Sequence, residues 1–242
     1  MSICGGQGEA SPFKEKVWPR GGTAQCLTIK SESGKEEHTG AVFYGGIGGD
    51  AMRELNIACA NSRSTKQLTN KKIELSALKE RLKVTIRTTE SAEEYARLPR
   101  SKRDAAKDHG GIVAGVLKDG RRKIDTVVSR SMVTLDGDRI EAEFLEDYER
   151  RVHYTSILYS THSHTPETPR VRILVPLTRD VTPEEYVAVA RYLAQSLGMD
   201  YFDECSYLPN QLMYWPSTPA NGEFVYKETD GPWLDPDEIL SA

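Results

Sequence analysis

The sequence predicts an α+β fold, a ferredoxin-like or RNA-recognition-motif-like βαββαβ core with an additional N-terminal α/β part. Three observations predict it. From Ser131 to Trp215, apolar runs of strand length and amphipathic helical stripes follow in the order strand, helix, strand, strand, helix, strand. The second of those helices opens on Thr182-Pro183-Glu184-Glu185, with threonine as cap, proline at the first helical position and glutamate closing the box. A length of 242 residues gives room for one full α/β domain, or one domain with an appendage.

The elements read in order as follows. Residues 1–51 are rich in Gly, Ser, Lys and Glu and carry few periodic apolar positions, which predicts disorder or loose packing. The tract Gly45-Gly46-Ile47-Gly48-Gly49-Asp50-Ala51 stands before Met52. Glycine codons are purine-rich, so this tract can encode a ribosome-binding sequence. Met52 is then the expected start and 1–51 a translated, non-native leader; mass spectrometry of the native N-terminus tests this. An ordinary flexible tail fits the same residues.

Residues 52–130 form the expected N-terminal α/β part. Glu54–Ala60 reads as a strand, and Leu75, Leu78 and Leu82 as a helical stripe. Ser91-Ala92-Glu93-Glu94 is a capping box that opens a helix with Tyr95 and Leu98 inward. A charged helical piece, Ser101–Asp108, ends at Gly110-Gly111. Gly111–Leu117 reads as one strand running into a turn at Lys118-Asp119-Gly120.

Residues 131–242 form the expected catalytic core and tail. Ser131–Asp136 is a buried strand; Asp138–Arg151 is a helix with Ile140, Phe144 and Tyr148 on one face. Tyr154–Thr161 and Val171–Leu177 are strands. The helix after Thr182 buries Tyr186, Val189, Ala190, Leu193 and Leu197 and stops at Gly198. Leu212–Trp215 is the expected closing strand, and Glu223–Tyr226 adds a further one.

Composition narrows the function. The formal net charge is -4, so no global field attracts nucleic acid, and any such site rests on local basic clusters. The 4 cysteines form no C-x-x-C pair, which argues against a cysteine-rich zinc site or a disulfide framework and for a reduced, cytoplasmic setting. There is no apolar run long enough for a bilayer and no signal-peptide core. Gly34-Lys35 lacks the flanking residues of a Walker A loop.

Asp136 and Asp138 stand where a strand ends. Alternate residues there share a face, and two carboxylates on one face suit a hard cation. Judged alone, Asp138-Arg139-Ile140-Glu141 is equally a capping box. His162 and His164 follow the next strand beside Ser163, placed to meet phosphates or a metal, or simply exposed in a loop. Asp203 offers a third carboxylate, or a turn acid. Arg121, Arg122, Lys123 and Arg130 form a dense basic cluster suited to phosphates. Arg97, Arg100, Lys102, Arg103 and Lys107 form a second cluster that could neutralise phosphates, or simply a solvated helix face. Tyr214, Trp215 and Trp233 are stacking candidates, or packing.

Together these residues resemble the archaeo-eukaryotic primase superfamily, and within it the primase–polymerase domain of phage and plasmid replication proteins that fronts virulence-associated protein E-type helicases. The resemblance covers most of 54–240. Leu135-Asp136-Gly137-Asp138 matches the first motif, Ser160 to His164 the second, and Phe202-Asp203 the third. The runs Ser163-His164-Thr165-Pro166-Glu167, Pro169-Arg170-Val171-Arg172 and Pro209 to Ser217 are similar to phage members. Gly137 replaces a usually apolar residue, which predicts a looser local backbone, and Gln211 stands where relatives often carry arginine. Many relatives continue into a helicase half, and unwinding here is expected to need a separate protein.

The resemblance implies a DNA primase or polymerase that joins nucleotides along a single-stranded DNA template. It implies that Asp136, Asp138 and Asp203 hold two Mg²⁺ or Mn²⁺ ions. His164, with Arg172 and beside Ser163 and His162, would bind the incoming nucleoside triphosphate, and Arg121, Arg122, Lys123 and Arg130 would meet phosphates. A separate replicative helicase is the implied partner, and no membrane. Two rivals remain. A rolling-circle nickase uses a His-hydrophobe-His metal site and a helical tyrosine, which His162-Ser163-His164 and Tyr186 or Tyr192 imitate. In a non-catalytic nucleic-acid-binding module the acids are only caps and turns.

Overall fold

The first strand among the described residues, β1 (Leu55–Ala60), pairs antiparallel with β2 (Thr69–Ile73), in a computed structural model that describes residues 53–241. The expected leader, 1–51, and the start at Met52 lie outside the described residues. The Leu75, Leu78 and Leu82 stripe becomes α1 (Leu75–Leu82), with all three side chains buried. The two-residue strand β3 (Ile86–Arg87) follows. Ser91 caps α2 (Ala92–Arg97) through the reciprocal box read from the sequence, and Tyr95 is its buried residue. A charged helix, α3 (Arg100–Ala106), buries nothing.

The expected strand Gly111–Leu117 is two strands in two different sheets. β4 (Gly111–Val113) pairs with β1, whereas β5 (Gly115–Leu117) pairs with β6 (Val127–Gly137). Gly111 is required where β4 meets the C-terminal chain: a Cβ there would lie 2.1 Å from the Met213 carbonyl oxygen, inside van der Waals contact.

The helix expected over 138–151 begins later and is broken. α4 (Ala142–Glu146) and α5 (Tyr148–Arg151) meet at Asp147. Residues 138–141 are held outside the helix by the Arg139 N–H bond to the Tyr201 carbonyl (3.3 Å) and by an Asp138–Arg170 ion pair (3.1 Å). Ile140, Phe144 and Tyr148 are buried as expected, each aromatic contributing about 1.5–3 kcal/mol by burial. β7 (Ser156–Ser160) and β8 (Val171–Val181) come next. The Thr182 box caps α6 (Pro183–Leu197), whose whole inner stripe is buried, and Gly198 ends it at φ 110°.

β6, β8 and β7 lie side by side, all antiparallel to their neighbours, so β6 and β7 are parallel with β8 between them. That is the split βαβ arrangement expected of the fold. The fourth strand is where the expectation fails. Leu212–Trp215 does not close this sheet; β9 (Met213–Tyr214) pairs with β4 in the order β2-β1-β4-β9. The place beside β6 holds only an isolated antiparallel bridge from Phe202 to Gly137 at one end and β5 at the other. β10 (Ser217–Thr218) pairs with β3, and β11 (Tyr226–Thr229) extends the five-stranded sheet beside β7. α7 (Pro236–Leu240) ends the described chain.

The five-stranded sheet is buried on both faces, which explains its near-continuous apolar strands. Side chains alternate between faces. Val133, Leu135, Leu158, Ile173 and Val175 pack with α4, α5 and α6. Met132, Ile157, Tyr159 and Leu174 pack instead against β1, β4, β9 and α1. Asp136 has the alternation of Met132, so it faces the N-terminal sheet. Gly137 is not loose: it is buried, paired on both sides with Val171 and Phe202, and a Cβ there would meet Ile140 at 2.8 Å.

Candidate active site

Strand register builds the site. Asp136 on β6 is opposite Arg172 on β8, and Arg172 is opposite Tyr159 on β7. The three side chains therefore form one row across the sheet, on the face turned to β9. Asp136 Oδ1 lies 3.4 Å from Arg172 Nε. The Arg172 guanidinium sits 5.5 Å over the Tyr214 ring, and the Tyr159 hydroxyl donates to the Tyr214 carbonyl at 2.8 Å.

Around this row opens a cavity of about 110 Å³. The end of β6 gives it Asp136 and Asp138; the loop after β7 gives Thr161, His162 and Ser163; the start of β8 gives Arg170 and Arg172. Lys107 reaches it from the end of α3, and Tyr214 and Ser217 from β9 and β10. Two carboxylates thus face three cations across a space large enough for several waters.

Asp136 is the unusual group. Its Oδ1 is buried and accepts no hydrogen bond. Burial pushes its carboxyl above the usual range; Arg172 opposes the rise, and the charges of Asp138 and Asp203 add to it. Its backbone is fixed: the N–H donates to Ser206 Oγ at 2.8 Å and the carbonyl accepts from the Asp203 N–H at 2.9 Å. Asp138 caps nothing. The N-cap of α4 is Glu141, and Asp138 Oδ1 instead accepts from Arg170. An unsatisfied buried carboxylate oxygen beside a second carboxylate is a donor set that suits a hard divalent cation.

Asp203 departs from the expected three-carboxylate set. It is tied to Asp136 through the backbone, but its side chain caps the turn Glu204–Tyr207 by accepting from the Cys205 N–H at 2.8 Å. The Cys205 thiol and N–H hold the Asp203 carboxyl below the usual range. It does not line the cavity, and among the described residues no three His, Cys, Asp or Glu side chains stand close enough to hold one metal ion.

The histidines divide. His162 and Ser163 line the cavity; His164 does not. His164 Nδ1 accepts from the Arg170 N–H at 3.2 Å, and its buried Nε2 has no partner. Burial pushes both imidazoles below the ordinary histidine range, Glu90 opposing this at His162 and Glu223 at His164.

Arg130 must be corrected. It was expected to meet phosphates, but it is 0% exposed. Its guanidinium donates to the carbonyls of Ala114 (2.9 Å) and Pro209 (2.7 Å) and to Thr134 Oγ1 (2.9 Å), 4.0 Å over the Tyr186 ring. No phosphate can reach it. Arg121 and Lys123 are exposed, and Arg122 donates to the Arg63 carbonyl; none of the three lines the cavity.

Lys107 belongs to the cluster that the sequence allows either to meet phosphates or to form a solvated helix face, and Arg170 is the cavity cation that the sequence gives no site role. Arg170 could have been found, since it stands two residues before Arg172 and so shares its face. Lys107 could not be decided, because only tertiary packing turns the end of a solvated helix toward the site. The nickase rival lacks its nucleophile here: the Tyr186 hydroxyl is buried on the Ser206 carbonyl (2.8 Å), and Tyr192, 47% exposed, is not among the cavity residues. No helix among the described residues is long and apolar enough to cross a membrane.

A family model, the VapE N-terminal domain, matches residues 49–242. No curated protein matches the chain. Among solved structures, the AEP domain (PP-N190) of the cyanophage S-2L primase-polymerase is similar over 79% of this chain and 89% of that one, at 13% identity and a TM-score of 0.42.

Proposed function

The chain belongs to the VapE N-terminal domain family, and from that premise we propose that it is a primase-polymerase, a template-directed nucleotidyltransferase of phage, plasmid or other mobile-element DNA replication. One observation carries the reading: Asp136 and Asp138 share a cavity with Lys107, Arg170 and Arg172. That arrangement suits a ligand that is at once a metal chelate and a polyanion, as a nucleoside triphosphate is.

In this reading Asp136 and Asp138 hold Mg²⁺ or Mn²⁺. Magnesium sites with one or two protein carboxylates draw their other ligands from substrate phosphates and water, so two carboxylates suffice. When bound, such a cation supplies charge neutralisation at the phosphates and lowers the pKa of an attacking hydroxyl. Asp203 joins the set only by giving up its bonds to Cys205. Arg170 and Lys107 grip the phosphates, Arg172 keeps the Asp136 carboxylate in place, and Tyr214 is available to stack against a base or sugar.

Arg121, Arg122 and Lys123 lie outside the cavity and serve the single-stranded template; a separate helicase opens the duplex. Replacing all three with alanine is expected to weaken single-stranded DNA binding and to make log K against log salt shallower by up to about 2 units, at about 0.7 per phosphate contact. An unchanged salt slope would remove them from the template path. The whole reading is tested by incorporation of labelled nucleotides on a single-stranded template, with and without a primer. Metal-dependent extension with pyrophosphate release supports it. A covalent tyrosyl–DNA adduct in place of extension supports the nickase, and template binding without either product supports the non-catalytic module.

A further inference from the structure

Both ring nitrogens of the cavity residue His162 are held by protein partners. Nε2 lies 3.2 Å from Glu90 Oε1, and Nδ1 lies 2.9 Å from Ser217 Oγ. The ring is held by Tyr95 at 4.4 Å between centroids, and the Tyr95 hydroxyl in turn lies 3.2 Å from Ser163 Oγ. Ser217 is 3% exposed and lines the cavity with Asp136 and Asp138. Glu90, His162 and Ser217 therefore form a chain that ends on a hydroxyl facing the ligand space.

Proton positions along the chain follow from the donor inventory. Burial works against Glu90 ionisation, but bonds from its own backbone N–H, the Thr88 hydroxyl and the His162 ring hold it below the usual range, so it is a carboxylate and only accepts. Nε2 of His162 must carry hydrogen. In the neutral ring Nδ1 is then an acceptor, and the Ser217 hydroxyl donates to it, leaving only lone pairs toward the cavity. In the imidazolium Nδ1–H donates to Ser217 Oγ, and the Ser217 hydrogen is free to point into the cavity. One proton on His162 converts Ser217 from an acceptor into a donor.

We propose that triphosphate binding at this cavity is coupled to proton uptake by His162, and that Ser217 makes the resulting hydrogen bond to a phosphate oxygen. The inference rests on the nucleotide-binding reading above and deepens it. The charges around the ring fit. Glu90 faces it from the segment before α2, and Lys107 and His109 from the end of α3. Asp136 and Asp138 share the cavity, with Arg170 and Arg172. Without ligand, burial and the nearby cations keep the ring neutral. A polyanion neutralises those cations and favours the imidazolium. Glu90 acts through His162 and is a positioning residue; Ser217 is the contact.

The test is calorimetry of inorganic tripolyphosphate binding, in the presence of Mg²⁺, to the full chain at about pH 7.5, well above the ordinary histidine value, in buffers of different ionisation enthalpy. His162→Gln gives the ligand's own proton contribution. The wild type is expected to take up close to about one proton more than that variant, and Glu90→Gln to lose most of the excess. Ser217→Ala is expected to bind roughly tenfold more weakly. Equal proton uptake in wild type, Glu90→Gln and His162→Gln overturns the coupling while leaving a triphosphate site in place. No tripolyphosphate binding by the wild type overturns both the coupling and the reading beneath it.

Discussion

Replacing Arg130 with alanine is expected to cost roughly 2–5 kcal/mol of stability, a large share of the ~5–15 kcal/mol that holds a domain of this kind together. Arg130 is the largest fully buried side chain among the described residues. It joins three parts of the fold, bonding the Ala114 carbonyl between β4 and β5, the Pro209 carbonyl after α6, and Thr134 on its own strand. Truncation leaves the buried Pro209 carbonyl without its donor, leaves the Ala114 carbonyl with only the Ser131 N–H, and opens a cavity against the Tyr186 ring. Urea unfolding measures the loss. The DNA affinity of the protein that remains folded should not change. An unchanged urea midpoint with weakened DNA binding would return Arg130 to the phosphate-binding role expected from sequence.

Asp136→Asn is expected to lower nucleotide incorporation roughly a thousandfold or more while the protein stays folded. The substitution keeps the side chain's shape and leaves the backbone bonds to Ser206 and Asp203 intact. Charge burial and the Arg172 counter-charge set opposite signs for the stability effect. Burial raises the Asp136 carboxyl above its unfolded value, against the pull of Arg172. A raised pKa means that this group's favourable contribution is present below the unfolded value of about 3.9 and is lost as pH rises through the folded value. The ionised carboxylate is held at a desolvation cost, which the amide removes; loss of the Arg172 counter-charge works the other way. The melting temperature should therefore move by only a few degrees. Wild-type incorporation by the variant would remove Asp136 from the chemistry.

Legibility differed between elements for physical reasons. The Ser91 and Thr182 boxes formed as read, because capping is a local interaction that needs no distant partner. β2 was missed because its residues, Thr69-Asn70-Lys71-Lys72-Ile73, face solvent and show no apolar alternation. The split of Gly111–Leu117 between two sheets, and the loss of Leu212–Trp215 to the other sheet, are decided by long-range pairing that sequence periodicity does not encode. In the site, the place of Asp136 and Asp138 at a strand end allowed either a cation site or a helix cap, and the family resemblance, which also pointed to Arg172, favoured the first. Arg130 was misread because a cation is seldom fully buried, and the carbonyls that make burial tolerable come from segments far along the chain. Asp203 was read as a ligand, yet its local turn claims the carboxylate first.

Manganese binding followed by electron paramagnetic resonance tests the central claim most directly. The account predicts that wild-type protein with a bound nucleoside triphosphate holds Mn²⁺ and that Asp136→Asn, folded by circular dichroism, loses it. Equal Mn²⁺ affinity in the two proteins would contradict the account, because the orphaned Asp136 oxygen would then have no part in holding the ion.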